Sequence, residues 1–374
     1  MLYQTHVKVH LGNIKSNLEN IRHAVGPEKK ILIAVKANAY GHGAEEVALM
    51  AEKIGIDWLG IATVPEALQL REAGIKLPIL KFSPAFPEEM LPAIDAGMVF
   101  TVCDLVNARE LNDICKSINK KVKVHVKIDT GMGRIGVSPN EAPDLAFKIV
   151  NELGFLDFEG AFTHLPVSDE ANKSFTERQL ALFKKTVENI EKRITGKIPF
   201  VHCANSGGVL AHPDTWLDIV RPGIMIYGFY PSAETLHSIS LKPGLSFLTR
   251  VAFLKKVTKG TSIGYGRSWI APEDSWIATF PAGYADGFNR LFSNKGRVLI
   301  KGRSYPVVGR VCMDQSMANL GPRTDVHVGD EVVLIGKSGT EEITVYEWAE
   351  KLNTITYEVT CQINSRVRRI FDSY

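Results

Sequence analysis

The stretch ILIAVKANAYGHG, residues 31–43, begins as an apolar run, drops Lys36 at its end, and continues into Tyr40 and a pair of glycines. So short a run without polar alternation is the pattern of a strand buried on both faces, as in a parallel sheet. Packing alone gives no reason for an ammonium group at its end, because a charge leaves water only at a cost. Reading outward, the pattern recurs. GAEEVALMAEKIG follows as an amphipathic helix. WLGIAT is followed by VPEALQLREAG, PILKF by PEEMLPAIDAG, MVFTV by DLVNARELNDICKSIN, VKVHVKID by NEAPDLAFKIVNEL, and LDFEGAFTH by KSFTERQLALFKKTVENIEKRI. PFVHCAN is followed by SGGVLA, and LDIVRPG closes the series. Eight strand–helix units predict a closed (β/α)₈ barrel. An open doubly wound sheet is the competing arrangement, but its G-x-G-x-x-G turn after the first strand is missing.

Near residue 236 the rhythm changes. LSFLTRVAFLKKV, SWIATFPAG, GRVLIKGRSYPVVGRVCMD and DVHVGDEVVLIG are strand-like and separated by glycines, and only TVYEWAEKLN is helical in pattern. The expected organisation is a barrel over residues 9–235 and a mainly β domain over 236–374, with residues 1–8 packing against the latter. The 374 residues carry 44 basic and 41 acidic side chains, a net charge of +3 that offers no footprint for nucleic acid. Five cysteines without a C-x-x-C pair argue against a disulfide framework and a thiolate metal site. No apolar run approaches the ~20 residues of a membrane span, and the N-terminus lacks a signal-peptide core. A cytoplasmic protein without a metal is expected.

In a barrel of this kind the reactive groups come from the C-terminal strand ends and the loops after them. Strand one ends on Lys36, and strand five near Lys127, Asp129 and Arg134. Strand six ends on His164, strand seven at Asn205 and Ser206, and strand eight at Arg221, Pro222, Gly223 and Ile224. A single polar strand end is commonly structural; so many at one mouth indicate a site. The loops after strands seven and eight, ANSGG and RPGIMIYG, offer small residues, backbone N–H groups and a hydroxyl, which suits phosphate. A partly desolvated amine at Lys36 favours the neutral, nucleophilic form. Opposite a phosphate site it suggests a covalent link to pyridoxal phosphate; an imine to the substrate itself is the other lysine chemistry available.

The blocks AVKANAYGHG, HVKIDTGMGRIG, ANSGG, RPGIMIYG, IGYGRSW, PAGYADGFNR, GRVCMDQ and TITYEV, in this order over residues 34–359, closely resemble the alanine racemases. The resemblance implies a pyridoxal-phosphate barrel with a C-terminal β domain, working as a homodimer with shared sites and supplying D-alanine for cell-wall peptidoglycan. It implies that Lys36 holds the cofactor and is one of two bases, and that Tyr265 is the other, on the opposite face of the substrate. It assigns Arg221 to the pyridine nitrogen, and Tyr40, Ser206, Gly223, Ile224 and Tyr357 to the phosphate. His164 would link Arg221 to Tyr265, with Asn205 beside it. Arg134 and the Met313 backbone N–H would bind the substrate carboxylate, and Tyr284 and Asp314 fall in matching blocks. An arginine is effectively always protonated, so a ring nitrogen facing one stays unprotonated, which disfavours transamination.

Lys127 matches a lysine that is carbamylated in some members. VKIDTGMGR puts Lys127 and Arg134 near one loop, where a substrate carboxylate balances only one cation. A carbamate on Lys127 would pair with Arg134; Asp129 pairing with one of the two is the simpler alternative. THLPVSDE departs from the family pattern after His164, which leaves substrate preference open between alanine alone and a wider set such as serine. An amino-acid decarboxylase on the same architecture is the remaining alternative; its glycine-rich phosphate loop and HVGS-type segment do not appear at the matching strands.

Overall fold

A computed structural model describes residues 3–374; Met1 and Leu2, part of the segment expected to join the β domain, lie outside the described residues. The chain divides into two compact units. One comprises Ile14–Tyr40 and Ala44–Lys242; the other comprises Pro243–Tyr374 together with the N-terminal residues through Asn13 and the short piece Gly41–Gly43.

The first unit is an all-parallel barrel. Its strands in order are Lys30–Ala34, Trp58–Ile61, Ile79–Lys81, Phe100–Val102, Val122–Lys127, Leu156–Phe162, Phe200–His202 and Ile219–Val220. The ring closes because strand one pairs in parallel with both strand two and strand eight, as in Leu32 opposite Trp58 and Lys30 opposite Ile219. A Leu80–Val99 bridge joins strands three and four. Strands seven and eight meet through Asp218 N–H to Val201 O (3.0 Å) and Arg221 N–H to Ala204 O (2.8 Å). Helices Ala44–Lys53, Val64–Glu72, Pro87–Asp95, Leu105–Ser117, Ala142–Glu152, Ser174–Ile194 and Ser206–Ala211 occupy the seven intervals between strands. Leu32, Trp58, Leu80, Val99 and Ile219, one residue from each of five strand regions, pack as one buried cluster with Phe82 and Phe200 against it. Strands so short and apolar are buried by helices on one side and by each other on the other.

In the second unit the central sheet runs in the order Arg303–Pro306, Arg297–Ile300, Glu331–Ser338, Leu245–Arg250, His6–Val9, Arg368–Phe371, with Glu341–Ile343 added beside Glu331–Ser338. His6–Val9 lies inside this sheet, antiparallel to Leu245–Arg250 and parallel to Arg368–Phe371. A three-stranded sheet joins Phe253–Val257, Ser275–Phe280 and Ser316–Gly321. Besides the expected helix at Val345–Leu352, a second short helix forms at Thr356–Cys361, where TITYEV had suggested only a motif.

Candidate active site

The first strand ends at Ala34, two residues before the Lys36 end that the sequence suggests. Past Ala34 the chain turns into left-handed helical geometry: Ala37, Asn38, Ala39 and Tyr40 all have φ of 51–53°. For residues with a Cβ this costs roughly 1–2 kcal/mol each, so other groups must hold it. Glu66, in the first turn of helix Val64–Glu72, accepts from Ala37 N–H (2.7 Å) with one oxygen and from Ala62 and Thr63 N–H (2.8 and 3.0 Å) with the other. Asn38 Oδ1 accepts from Ala44 N–H at 2.8 Å. Tyr40 is buried, its ring 5.2 Å from that of Tyr227, whose hydroxyl donates to Ala34 O. The turn thus fixes Lys36 at one end and Tyr40 at the other.

Tyr40 reaches the loops after strands seven and eight. A Cβ placed on Gly223 would lie 3.0 Å from the Tyr40 hydroxyl oxygen. Ser206 Oγ accepts from Gly223 N–H (2.9 Å) and Met225 N–H (3.5 Å), which leaves its own proton to donate. Asn205 caps the same helix: its Oδ1 accepts from Gly208 N–H (3.0 Å) and Ser168 Oγ–H (2.6 Å), and its Nδ2 donates to Leu165 O (2.8 Å). Ile224 opens the buried 3₁₀ turn that follows Gly223. Hydroxyls and a glycine backbone therefore converge where a side chain would fill the space, a donor set suited to phosphate oxygens.

The cationic side of the mouth is equally well defined. Arg221 is buried; Nη1 contacts His202 Nδ1 at 2.8 Å, and Nη2 donates to Thr163 O (2.7 Å) and Cys203 O (3.1 Å). Three of its five N–H groups are thus committed within the protein. Burial lowers its pKa to about 10, so it stays charged at neutral pH. His164 is held well below the usual histidine range, first by burial and then by Arg221, Lys127, Arg134 and Lys36. That set of neighbours brings five of the expected residues to one place. The imidazole bonded to Arg221 is that of His202, which the sequence reading had not singled out. Its signal was present: in PFVHCAN a histidine stands inside an otherwise apolar strand.

Lys127 ends strand five, its Nζ 4.6 Å from the Phe162 ring centre. Burial, then Arg221 and Arg134, bring its pKa down to about 7. Asp129 is turned elsewhere, accepting from Gly131 and Gly133 N–H (3.0 and 3.1 Å). Burial opposes ionisation of Asp129, but these backbone bonds outweigh it and lower its pKa. The loop bearing exposed Arg134 folds back on strand five through Val137 N–H to Lys127 O (2.9 Å); a Cβ on Gly136 would strike Asp129 N at 2.7 Å.

In the β unit, Tyr265 is 71% exposed, between Gly264 and Gly266, which both have positive φ. A Cβ on Gly266 would lie 3.2 Å from the Arg310 guanidinium carbon. Tyr284 and Met313 are brought together by Tyr284 N–H to Cys312 O (3.1 Å) and Ala285 N–H to Met313 O (3.0 Å). Asp314 and buried Asp286 share Arg366, each at 2.8 Å. Tyr357 sits half-buried in helix Thr356–Cys361.

A strand-end lysine and a cluster of hydroxyl and backbone groups at one mouth of a (β/α)₈ barrel, with a β unit following it in sequence, define the class as a barrel enzyme with a C-terminal β domain. Residues 9–231 match the alanine racemase N-terminal domain and residues 245–371 the alanine racemase C-terminal domain. An alanine racemase of Cutibacterium acnes is 46% identical over 367 residues, covering 98% of this chain and 97% of its own. One of Methanococcus maripaludis is 40% identical, covering 97% of each. The solved alanine racemase of Clostridium difficile 630 superposes with a TM-score of 0.94 at 39% identity, over 100% of this chain and 96% of that one. The chain belongs to the alanine racemase family. No helix among the described residues is long and apolar enough to cross a membrane.

Proposed function

We propose that the protein interconverts L- and D-alanine with pyridoxal phosphate, as a cytoplasmic homodimer that supplies D-alanine for peptidoglycan. The observation that carries this reading is the anion cradle of Tyr40, Ser206 and Gly223, one left-handed turn from Lys36. Tyr40, Ser206 and the Gly223–Ile224 backbone, with Tyr357, would hold the phosphate, and Lys36 would hold the aldehyde carbon. Bound there, pyridoxal phosphate supplies the electron sink that acidifies the substrate's α-proton.

The chain's own groups do the rest. Arg221 is charged and can only donate, so it offers N–H and never takes a proton. Arg134 binds the substrate carboxylate, helped by the Met313 N–H. The Lys36 amine takes the α-proton of D-alanine and the Tyr265 phenolic oxygen that of L-alanine; each returns a proton to its own face. Two bases on opposite faces remove the need to turn the substrate over. Tyr265 of the partner subunit serves this role, as exposure of Tyr265 on its own unit supports. Asn205 holds the seventh loop in shape, and Tyr284 and Asp314 shape the approach to Met313.

Borohydride reduction of the holoenzyme followed by peptide mapping tests the assignment. The cofactor should be fixed on the peptide carrying Lys36, and a label on any other lysine refutes it. A chirality-resolved assay across small amino acids, serine included, sets the substrate range. Evolution of carbon dioxide from basic amino acids would instead favour the decarboxylase reading.

A further inference from the structure

From Arg221 a line of buried polar side chains leads away from the mouth, and nothing in the proposed chemistry uses its far end. His202 Nε2 lies 2.9 Å from His125 Nδ1, and His125 Nε2 lies 3.3 Å from Glu159 Oε2. Glu159 Oε1 accepts from Lys123 Nζ at 2.5 Å, and Lys123 is near the start of strand five, at the barrel's opposite end. The line is built by backbone devices. Pairing of strands five and six steps from Val124 opposite Phe158 to His125 opposite Gly160, so Glu159 is the extra residue of a β-bulge. Bulges re-aim a side chain, and here the bulged residue meets His125. A Cβ on Gly160 would lie 2.6 Å from the His125 ring, so only glycine leaves room for it. The His202 ring is stacked on Phe162, 4.9 Å away and within 2° of parallel.

The donors run in one direction. An arginine has no acceptor, so His202 Nδ1 must accept from Arg221 and its proton sits on Nε2. His125 Nδ1 then accepts, and its proton also sits on Nε2, aimed at the Glu159 carboxylate. The position of one ring proton is set by the bond at the other nitrogen. Burial lowers the pKa of both imidazoles, which keeps each ring neutral with a single N–H. Burial opposes ionisation of Glu159, but the bonds from His125 and Lys123 outweigh it. Reversing the line would set an N–H of His202 against an N–H of Arg221.

We propose that Glu159 and His125 are positioning residues which lock the tautomer of His202 and thereby hold the Arg221 guanidinium in the orientation it presents at the mouth. Their effect on racemisation rests on the function proposed above; the tautomer lock does not. Glutamine at 159 has one oxygen for two donors. If Lys123 takes it, the amide NH₂ faces His125, both rings must flip to Nδ1–H, and the Arg221–His202 bond is lost. Removing Lys123 as well frees that oxygen for His125 and should restore the line.

The test is nitrogen-15 NMR of histidine-labelled full-length protein, with and without pyridoxal phosphate. In the wild type both His125 and His202 should carry their proton on Nε2; a proton on Nδ1 of either overturns the proposal, and this arm decides if the glutamine variant does not fold. Glu159→Gln should move both rings toward Nδ1–H and lower kcat about tenfold, the scale of outer-shell losses at other sites, with KM for alanine little changed. Lys123→Met alone should change neither, and the double variant should recover both. An unchanged His202 in Glu159→Gln, or a kcat that does not follow the tautomer, overturns it. A wild-type protein without racemase activity counts against the proposed function, while the NMR arm still decides the lock.

Discussion

Lys127 sits where three cations converge. Arg221 and Arg134 act on it, and Asp129, the nearest carboxylate in sequence, accepts at Oδ1 from two backbone N–H groups of its own loop. The pairing of Asp129 with one of the cations, a sensible expectation from VKIDTGMGR, is therefore not what the described residues show. A pKa of about 7 leaves much of the amine neutral at neutral pH, and the neutral amine is the form that adds carbon dioxide, releasing one proton and leaving a carbamate anion. We propose that Lys127 is carbamylated. Carbon-13 NMR after exposure to labelled bicarbonate should show a signal that Lys127→Ala abolishes; its absence in active protein refutes the modification. The linkage has a definite sign. Because the folded-state pKa is depressed, the folded protein binds fewer protons than the unfolded chain between about pH 7 and the ordinary lysine value of 10.5. The penalty is full below pH 7 and fades as pH rises through that window. In carbonate-free buffer, Lys127→Met should raise Tm at pH 6 and lose that advantage by pH 10. An equal gain at both ends would show that the lysine's charge is not the cause.

The Lys36–Tyr40 turn is the element on which the proposed site depends, and it is strained. Ala37 is exposed, so its substitutions report backbone conformation with little change in packing. Ala37→Gly should be neutral to about 1 kcal/mol stabilising, since relief of left-handed strain opposes the greater freedom of glycine in the unfolded chain. Ala37→Val should cost more than about 1 kcal/mol, because a β-branched residue tolerates positive φ poorly. Denaturant titration measures both, and equal stability of the two variants would contradict the left-handed geometry. Glu66 is the clamp. Glu66→Ala removes the acceptor of three backbone N–H groups, so it should destabilise by about 1–3 kcal/mol. It should also weaken cofactor retention, measured by dialysis, if the turn places Lys36 and Tyr40.

At the scale of the molecule, the proposal places Lys36 of one protomer and Tyr265 of the partner subunit in one site. Loss of a general base typically lowers rate by 10²–10⁴-fold, so Lys36→Ala and Tyr265→Ala homodimers should each be nearly inactive. Unfolded and refolded together, about half of randomly paired dimers are mixed, and each mixed dimer has one intact site and one doubly broken site. Roughly a quarter of wild-type activity should return, by counting from two-fold symmetry. If both residues act within one chain, activity stays at background even with subunit exchange verified by mass.

The apolar rhythm from Ile31 to Val220 determined the barrel, because eight short runs without polar alternation must be buried on both faces. The polar strand ends from Lys36 to Arg221 also followed from it, since parallel strands of one barrel end at one mouth. Strand period and glycine placement announced a change to β structure near residue 236, whereas the β unit resumes at Pro243 and its next strand begins at Leu245. Three things were decided only in three dimensions. ILIAVKANAY carries no sign of left-handed geometry, because alanine and tyrosine disfavour it; the bond from Ala37 N–H to Glu66, 29 residues further on, helps hold it there. The destination of the Asp129 carboxylate depended on loop N–H groups that only the folded-back chain presents. Glu159 looks like an ordinary strand carboxylate in LDFEGAF, and only the bulge, a one-residue mismatch between two strands, turns it onto His125. Periodicity reports which residues are buried; which polar atoms then meet depends on register, and register is a property of paired strands.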